Sequence, residues 1–233
     1  MDLVNEKIPK RLHPDNLTDV VVTISYRADY SRQYLEKELL GKLEDFEPLK
    51  GLVEIKMPQN EIAKYGTEHY YANANYRLMI GEYNIHLNIV GAYPGWVEYS
   101  RTLIKILNPI YDQMFFTGVE LRYISKHPEV SIFEKLDGII KLNHLEIFPG
   151  SHFVFYCKHN GDDEYFVETR LTDRQATKDN VHISIVDIKL KAVIESGSYK
   201  DTLKRLGSMH DGEKTMYYTL LDKHFVESMN PEY

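Results

Sequence analysis

The chain has 233 residues, 43% hydrophobic and 27% charged, and a formal net charge of −7 at pH 7. A chain of this length holds one large domain or two small ones, and it buries a core without help from disulfides or metals. Its single cysteine, Cys157, excludes an intramolecular disulfide. The net negative charge disfavours non-specific nucleic-acid binding but leaves a local basic patch open.

The hydropathy of the sequence predicts neither a signal peptide nor a membrane-spanning helix. The first 16 residues lack the apolar stretch of a signal peptide, and no apolar run approaches the roughly 20 residues that span a bilayer. We therefore expect a soluble cytoplasmic protein that does not associate with membranes.

The first predicted elements are a strand, a helix and a second strand. The segment "LTDVVVTISYR" at 17–27 predicts a strand, because the alternate residues from Val20 to Tyr26 place apolar side chains on one face. Apolar residues at helical spacing then predict a helix over 32–46. The segment "LVEIKM" at 52–57 predicts a short strand.

Residues 58–75 show neither a helical nor a strand period, so they predict a loop with at most one helical turn. A loop this long inside a compact domain is either functional or an element whose pattern is hidden. Residues 76–91 then predict a hairpin with Gly81 and Glu82 at its turn, because apolar and polar residues alternate strictly after it.

The stretch "VGAYPGWVEYSR" contains the only tryptophan of the chain. Pro94 and Gly95 end a strand, and from Trp96 to Met114 apolar residues recur every three or four positions, as in an amphipathic helix. Pro109 should kink this helix or end it early. Because Trp96 shares the apolar stripe, we interpret it as fixing the helix to the sheet.

A strand over 117–126 completes the first part of the chain and sets the fold class. The order strand, helix, strand, hairpin, helix, strand predicts an α+β fold, an antiparallel sheet with helices on one face. Its nearest named topology is the ferredoxin-like β-α-β-β-α-β pattern with an extra strand. We assign this part to residues 1–128.

Residues 129–233 predict a β-meander packed by C-terminal helices. Strand patterns cover 152–159, 164–172 and 181–194, and a helical region follows that Gly207 and Gly212 should interrupt. The two segments, 1–128 and 129–233, form either two units or one compact domain.

Three short stretches carry a resemblance to a known family. The residues are "LTDVVVTISY" at 17–26 in the first strand, Gly95, Trp96 and Tyr99 at the start of the middle helix, and "LRYI" at 121–124 in the later strand. They resemble a sporadically distributed family of bacterial and archaeal proteins of similar length for which no activity is established. The resemblance implies a bacterial protein and no catalytic residues, and the scattered distribution of the family suggests mobile elements or phage defence.

No familiar catalytic signature occurs in the sequence. It has no phosphate-binding GxxxxGK[ST] loop, no dinucleotide-binding GxGxxG turn and no nucleophile elbow. His152, His159 and His182 lie on predicted neighbouring strands, but ordinary surface histidines are favoured because no carboxylate partner can be placed beside them. We therefore predict no catalytic residue, no metal and no cofactor, and whether the protein is an enzyme stays open.

The polar face of the first predicted sheet is the best candidate surface. Its favoured interpretation is a solvated face, or one covered by the second segment. The functional interpretation is a platform for a peptide or small anion; the absence of aromatics at its assignable positions disfavours single-stranded RNA. The candidate binding residues are His86, Asn88, Arg122 and Lys126 on this face, and Tyr70 and Tyr71 in the preceding tyrosine-rich segment.

Three hypotheses for function follow. The excess of tyrosine, 18 residues against 9 phenylalanines, favours a binding protein that forms a homodimer or binds a protein partner, although half-buried rings at sheet edges explain it too. The first alternative is a hydrolase or nuclease-like effector with a dispersed site of His, Asp and Glu. The second is a ligand sensor with a pocket between the two segments.

Overall fold

The computed structural model describes residues 8–10, 12–13, 15–28, 31–137, 141–142, 145–146, 153–160 and 165–233. Its strands are β1 (Leu17–Ala28), β2 (Val53–Lys56), β3 (His69–Ala72), β4 (Tyr76–Ile80), β5 (Asn84–Ile89), β6 (Met114–Pro128), β7 (Lys141–Leu142), β8 (Leu145–Glu146), β9 (Phe153–Asn160), β10 (Phe166–Ala176) and β11 (His182–Val193). Its α-helices are α1 (Arg32–Leu43), α2 (Gln59–Tyr65), α3 (Trp96–Leu107), α4 (Tyr199–Leu220) and α5 (Lys223–Ser228). Within these ranges, none of the helices has the length and apolar character needed to cross a bilayer.

Nine strands form one antiparallel sheet in the order β2-β3-β4-β5-β1-β6-β11-β10-β9, and β7 pairs with β8. The strands β4-β5-β1-β6 have the order of a ferredoxin-like unit, with α1 and α3 in its two crossovers. The predicted α+β fold with an antiparallel sheet is therefore confirmed, as is the β4–β5 hairpin.

The 15-residue strand β6 joins the two parts of the sheet. It pairs with β1 on one side and with β11 on the other. The strands β9, β10 and β11 follow one another as a meander, and β11 attaches them to β6. Strand pairing thus crosses between the segments 1–128 and 129–233, and a continuous group of buried side chains spans both.

The helices α1, α3 and α4 contribute buried residues to this core. The tightest link is Tyr99 in α3, which is fully buried. Its hydroxyl accepts a hydrogen bond from the Val22 amide of β1 at 3.1 Å and donates one to the Leu87 carbonyl of β5 at 2.6 Å. One side chain therefore fixes α3 to both central strands of the ferredoxin-like unit.

Two predictions from the sequence were wrong. Residues 58–75 are not a loop, because they contain α2 and β3. The helical region after residue 198 is not interrupted at its glycines, since α4 runs through both Gly207 and Gly212. Gly212 has a packing reason instead: a Cβ atom there would lie 2.8 Å from Cζ of Tyr165.

Candidate functional site

The core-facing side of β6 changes from apolar to polar along the strand. Val119 and Leu121 are buried apolar residues, and the next three positions on the same face are Tyr123, Ser125 and His127, all buried. Buried polar groups need partners, so this end of the strand requires a polar surface opposite it.

Helix α4 supplies that surface. His210, Glu213 and Tyr217 are spaced by three and four residues, which places them on one face of the helix. Oη of Tyr123 lies 2.9 Å from Nδ1 of His210, and Oη of Tyr217 lies 3.2 Å from Nε2 of His127. The helix and the strand therefore meet through hydroxyl–imidazole hydrogen bonds.

A cavity of about 440 Å³ lies between the end of β6, the second half of α4 and the described residues from 10 to 17. Its wall is formed by residues 10, 12 and 15–17, by the start of α3, by the end of β6 and by the second half of α4. The aromatic residues of the wall are Tyr93, Trp96, Tyr123, Tyr217 and Tyr218. The cavity is thus bounded by residues from both segments, 1–128 and 129–233.

Trp96 has two roles in this arrangement. It packs against the hydrophobic core, as the amphipathic pattern of its helix predicts. It also forms part of the cavity wall, where its ring stacks on His210 with the ring centroids 4.4 Å apart and the planes at 10°. The sequence interpretation of Trp96 as a residue that fixes the helix is therefore incomplete.

Glu213 is the most unusual group in the cavity. Only 6% of its surface is exposed, and among the described residues none forms a hydrogen bond or a close ion pair with its carboxyl group. Burial raises the pKa of Glu213 to about 8, an effect that the neighbouring Lys214 ammonium only partly offsets. The carboxyl group is therefore mostly protonated at neutral pH.

The two imidazoles of the site are neutral at the same pH. Burial lowers the pKa of His210 and of His127 to about 4. The Asn16 side-chain amide donates to Nδ1 of His127 at 3.2 Å, which leaves Nε2 to carry the proton and donate to Tyr217. Burial also raises the pKa of Tyr123 well above its usual range, so its hydroxyl stays protonated.

The sequence-predicted residues on the polar face lie on the sheet positions opposite the core, away from the cavity. His86 is buried, with Nδ1 2.8 Å from Oγ1 of Thr23 and its ring in an edge contact with Tyr65. Burial lowers the pKa of His86 to about 4. Asn88 lies on the same face, and its buried Oδ1 has no hydrogen-bond partner among the described residues.

Arg122 is already engaged by a neighbouring strand. Its guanidinium donates to both carboxylate oxygens of Asp187 in β11, at 2.8 and 2.7 Å. Lys189 pairs with Glu168 beside it. Anion binding by Arg122, together with Lys126 on the same face, would require this bidentate pair to break, so we consider the polar face the weaker candidate site.

Tyr70 and Tyr71 do not belong to one site, because successive residues of a strand point to opposite faces. The ring of Tyr70 lies beneath the Arg77 guanidinium at 4.9 Å, whereas the hydroxyl of Tyr71 donates to Oε1 of Glu36 in α1 at 2.6 Å. Both contacts hold the short strand β3 in place.

The histidine group considered for a metal lies partly outside the described residues. His152 is not described, nor is the side chain of His159. Within the part of the chain that is described, no three His, Cys, Asp or Glu side chains come together in a way that could hold a metal ion.

Sequence reasoning missed the cavity, although one signal was present. The apolar face of β6 predicted from Val119, Leu121 and Tyr123 continues through Ser125 and His127, and two polar residues on a core-facing parity indicate a polar site under the sheet. No signal of this strength identifies Glu213, because α4 carries many charged residues.

The arrangement is suited to binding. The site combines aromatic rings, a buried carboxyl group and neutral imidazoles that are hydrogen-bonded to tyrosine hydroxyls. The cavity is large enough for a small organic molecule. No protein-family model and no curated protein matches this chain.

Proposed function

We propose that this protein binds a small organic molecule in the cavity between the end of β6 and the second half of α4. The observation that carries the proposal is Glu213, a buried carboxyl group without a hydrogen-bond partner among the described residues, in the wall of an aromatic cavity of about 440 Å³. Ligand cavities typically measure about 300–1,000 Å³ and combine apolar walls with a few polar groups.

Energetics support a ligand for this carboxyl group. Burial of the Glu213 carboxyl group makes its charged form costly, which is why its pKa rises to about 8. An apolar residue at the position of Glu213 would avoid that cost and would extend the core formed by Leu206 and Met209 on the same helix. A ligand that hydrogen-bonds the carboxyl group removes the penalty when it binds.

The position of the cavity supports the sensor form of this function. Its wall combines β6 from the first segment with α4 from the second, so a ligand would contact both at once. Binding would then change how firmly α4 is held on the sheet, a change that a partner could detect. Service in a phage-defence or mobile-element operon, a cytoplasmic location and the hydrolase alternative stay predictions of the sequence.

A thermal-shift screen of small organic molecules tests the proposal. We expect hits, because a ligand at a hundred times its Kd stabilises the fold by about 2.7 kcal/mol, which is about 5–10 °C for a chain of this size. Tyr218→Ala, in the cavity wall, should weaken these hits. Tyr111→Ala is the matched control, because Tyr111 stacks on Tyr199 outside the cavity. A screen without a stabilising compound, together with protein that is free of small molecules in native mass spectrometry, would contradict the proposal.

Self-association is a second candidate function, and the exposed strand β2 favours it. This strand is at the edge of the sheet, and Val53 and Ile55 are 63% and 39% exposed. An antiparallel pair of two copies centred on Ile55 would place Glu54 of each opposite Lys56 of the other, a complementary cross-strand pair. We expect a dimer by light scattering that Ile55→Lys dissociates. A wild-type protein that stays monomeric at high concentration would exclude this interface.

A further inference from the structure

We propose that the ligand of the cavity is an organic cation, an ammonium compound with an apolar body, whose charge pairs with the Glu213 carboxylate and lies against the tyrosine rings. This inference rests on the proposed function and names the chemical class of its ligand. It is carried by the unpaired carboxyl group and the aromatic wall that surrounds the same space.

The aromatic wall favours a positive charge. Tyrosine and tryptophan rings carry negative potential on their faces and attract cations, by about 2 kcal/mol or more where water is excluded. Burial raises the pKa values of Tyr93, Tyr123, Tyr217 and Tyr218, so these rings stay neutral phenols. His210 is neutral as well, because burial lowers its pKa to about 4, and it does not repel a cation at neutral pH.

Among the described residues, the lysines of the cavity wall form no ion pair with Glu213, so its carboxyl group can pair with a ligand. The Lys10 ammonium donates a hydrogen bond to the Tyr233 carbonyl at 2.7 Å. Lys214 follows Glu213 on the helix, yet no ion pair joins the two among the described residues, and burial lowers the pKa of this lysine. Asp15 and Asp211 add negative charge to the wall.

Binding of a cation would release a proton. Without a ligand in the cavity, the Glu213 carboxyl group is mostly protonated at neutral pH, because burial raises its pKa to about 8. An opposite charge at about 4–6 Å lowers the pKa of a carboxyl group by about 1–3 units. The bound cation therefore converts Glu213 to its carboxylate, and affinity rises as the pH rises towards 8.

The test compares matched probes that differ only in charge. Phenethylamine, phenethyl alcohol and phenylpropionate, together with an aliphatic set of the same three head groups, are titrated calorimetrically at about pH 6 and about pH 8.5, where the amines stay protonated. We expect the ammonium probes to bind at least about tenfold tighter than the alcohols, with tighter binding at the higher pH. The binding enthalpy should also depend on the ionisation enthalpy of the buffer.

Glu213→Gln removes the charge and keeps the shape of the side chain. We expect it to weaken the ammonium probes at least about tenfold and to leave the alcohols unchanged. Glu195→Gln, at an exposed position outside the cavity, is the control for a change in net charge. Equal binding of alcohols and ammonium probes, or an unchanged preference in Glu213→Gln, overturns the cation inference and leaves ligand binding in place. If neither the probes nor the wider screen yields a ligand, the proposed function fails as well.

Discussion

Glu213→Gln is expected to stabilise the protein at alkaline pH by about 3–5 kcal/mol and to leave its stability near pH 5 almost unchanged. The carboxyl group has a pKa of about 8 in the folded protein, against 4.5 for an ordinary glutamate. Between these values the folded state holds a proton that the unfolded state has lost. The contribution of Glu213 to stability is therefore complete below about pH 4.5 and is lost as the pH rises through about 8. Glutamine has no proton to lose.

Urea unfolding of wild type, Glu213→Gln and Glu195→Gln at several pH values measures this effect. Between about pH 4.5 and about pH 8, the stability of wild type and of Glu195→Gln should drop below that of Glu213→Gln by an amount that grows with pH and then stays constant. The histidine contribution is common to all three proteins and cancels in the comparison. His86, His127 and His210 have pKa values lowered to about 4, and their contribution is lost as the pH falls from about 6.5. A constant difference between wild type and Glu213→Gln from about pH 4.5 to about pH 8 would show that Glu213 is not buried as described.

Tyr99→Ala is expected to destabilise the fold by about 3–5 kcal/mol, close to the largest effect of a single core substitution. The side chain is fully buried between α3 and the sheet, so its removal leaves a cavity. It also removes the hydroxyl that joins the Val22 amide to the Leu87 carbonyl. Both losses fall on β1 and β5, the two central strands of the ferredoxin-like unit.

Tyr99→Phe separates the two contributions, because it keeps the ring and removes only the hydroxyl. We expect a loss of about 1–3 kcal/mol, measured by the shift of the urea midpoint at constant slope. Tyr111→Phe, at a partly exposed position, should change stability little. If Tyr99→Phe were neutral, the hydroxyl would not join α3 to the two strands, and the packing of the ring alone would hold this helix.

Most of the elements that sequence reasoning identified have a buried face. In β1, β5 and β6 and in α3 the core-facing residues recur at the period of the element, and that period is visible in the sequence. The missed elements, α2 and β3, lack such a period. Helix α2 has seven residues and no buried one, and β3 is a four-residue strand next to the edge strand β2, which was predicted from the sequence. Their position follows from strand pairing, which one sequence does not reveal.

The site was harder to predict than the fold, because it depends on register and on contacts between distant parts of the chain. Arg122 is paired because β11 places Asp187 diagonally beside it, a register that neither strand determines alone. Helix α4 continues through Gly212, where the Tyr165 ring leaves no room for a larger side chain. Helix propensity does not reveal such a contact between distant residues. The cavity wall combines four separated stretches of chain, and their meeting depends on how α4 docks.

Because Trp96 stacks on His210 in the cavity wall, its intrinsic fluorescence can report on the cavity. Because the chain has one tryptophan, all of its indole fluorescence comes from the wall of a single cavity. A molecule that enters the cavity, or a proton that reaches His210, changes the surroundings of this one ring without any background from other tryptophans. The emission of the unlabelled protein therefore reports on the occupancy of the cavity and on the docking of α4 at the same time.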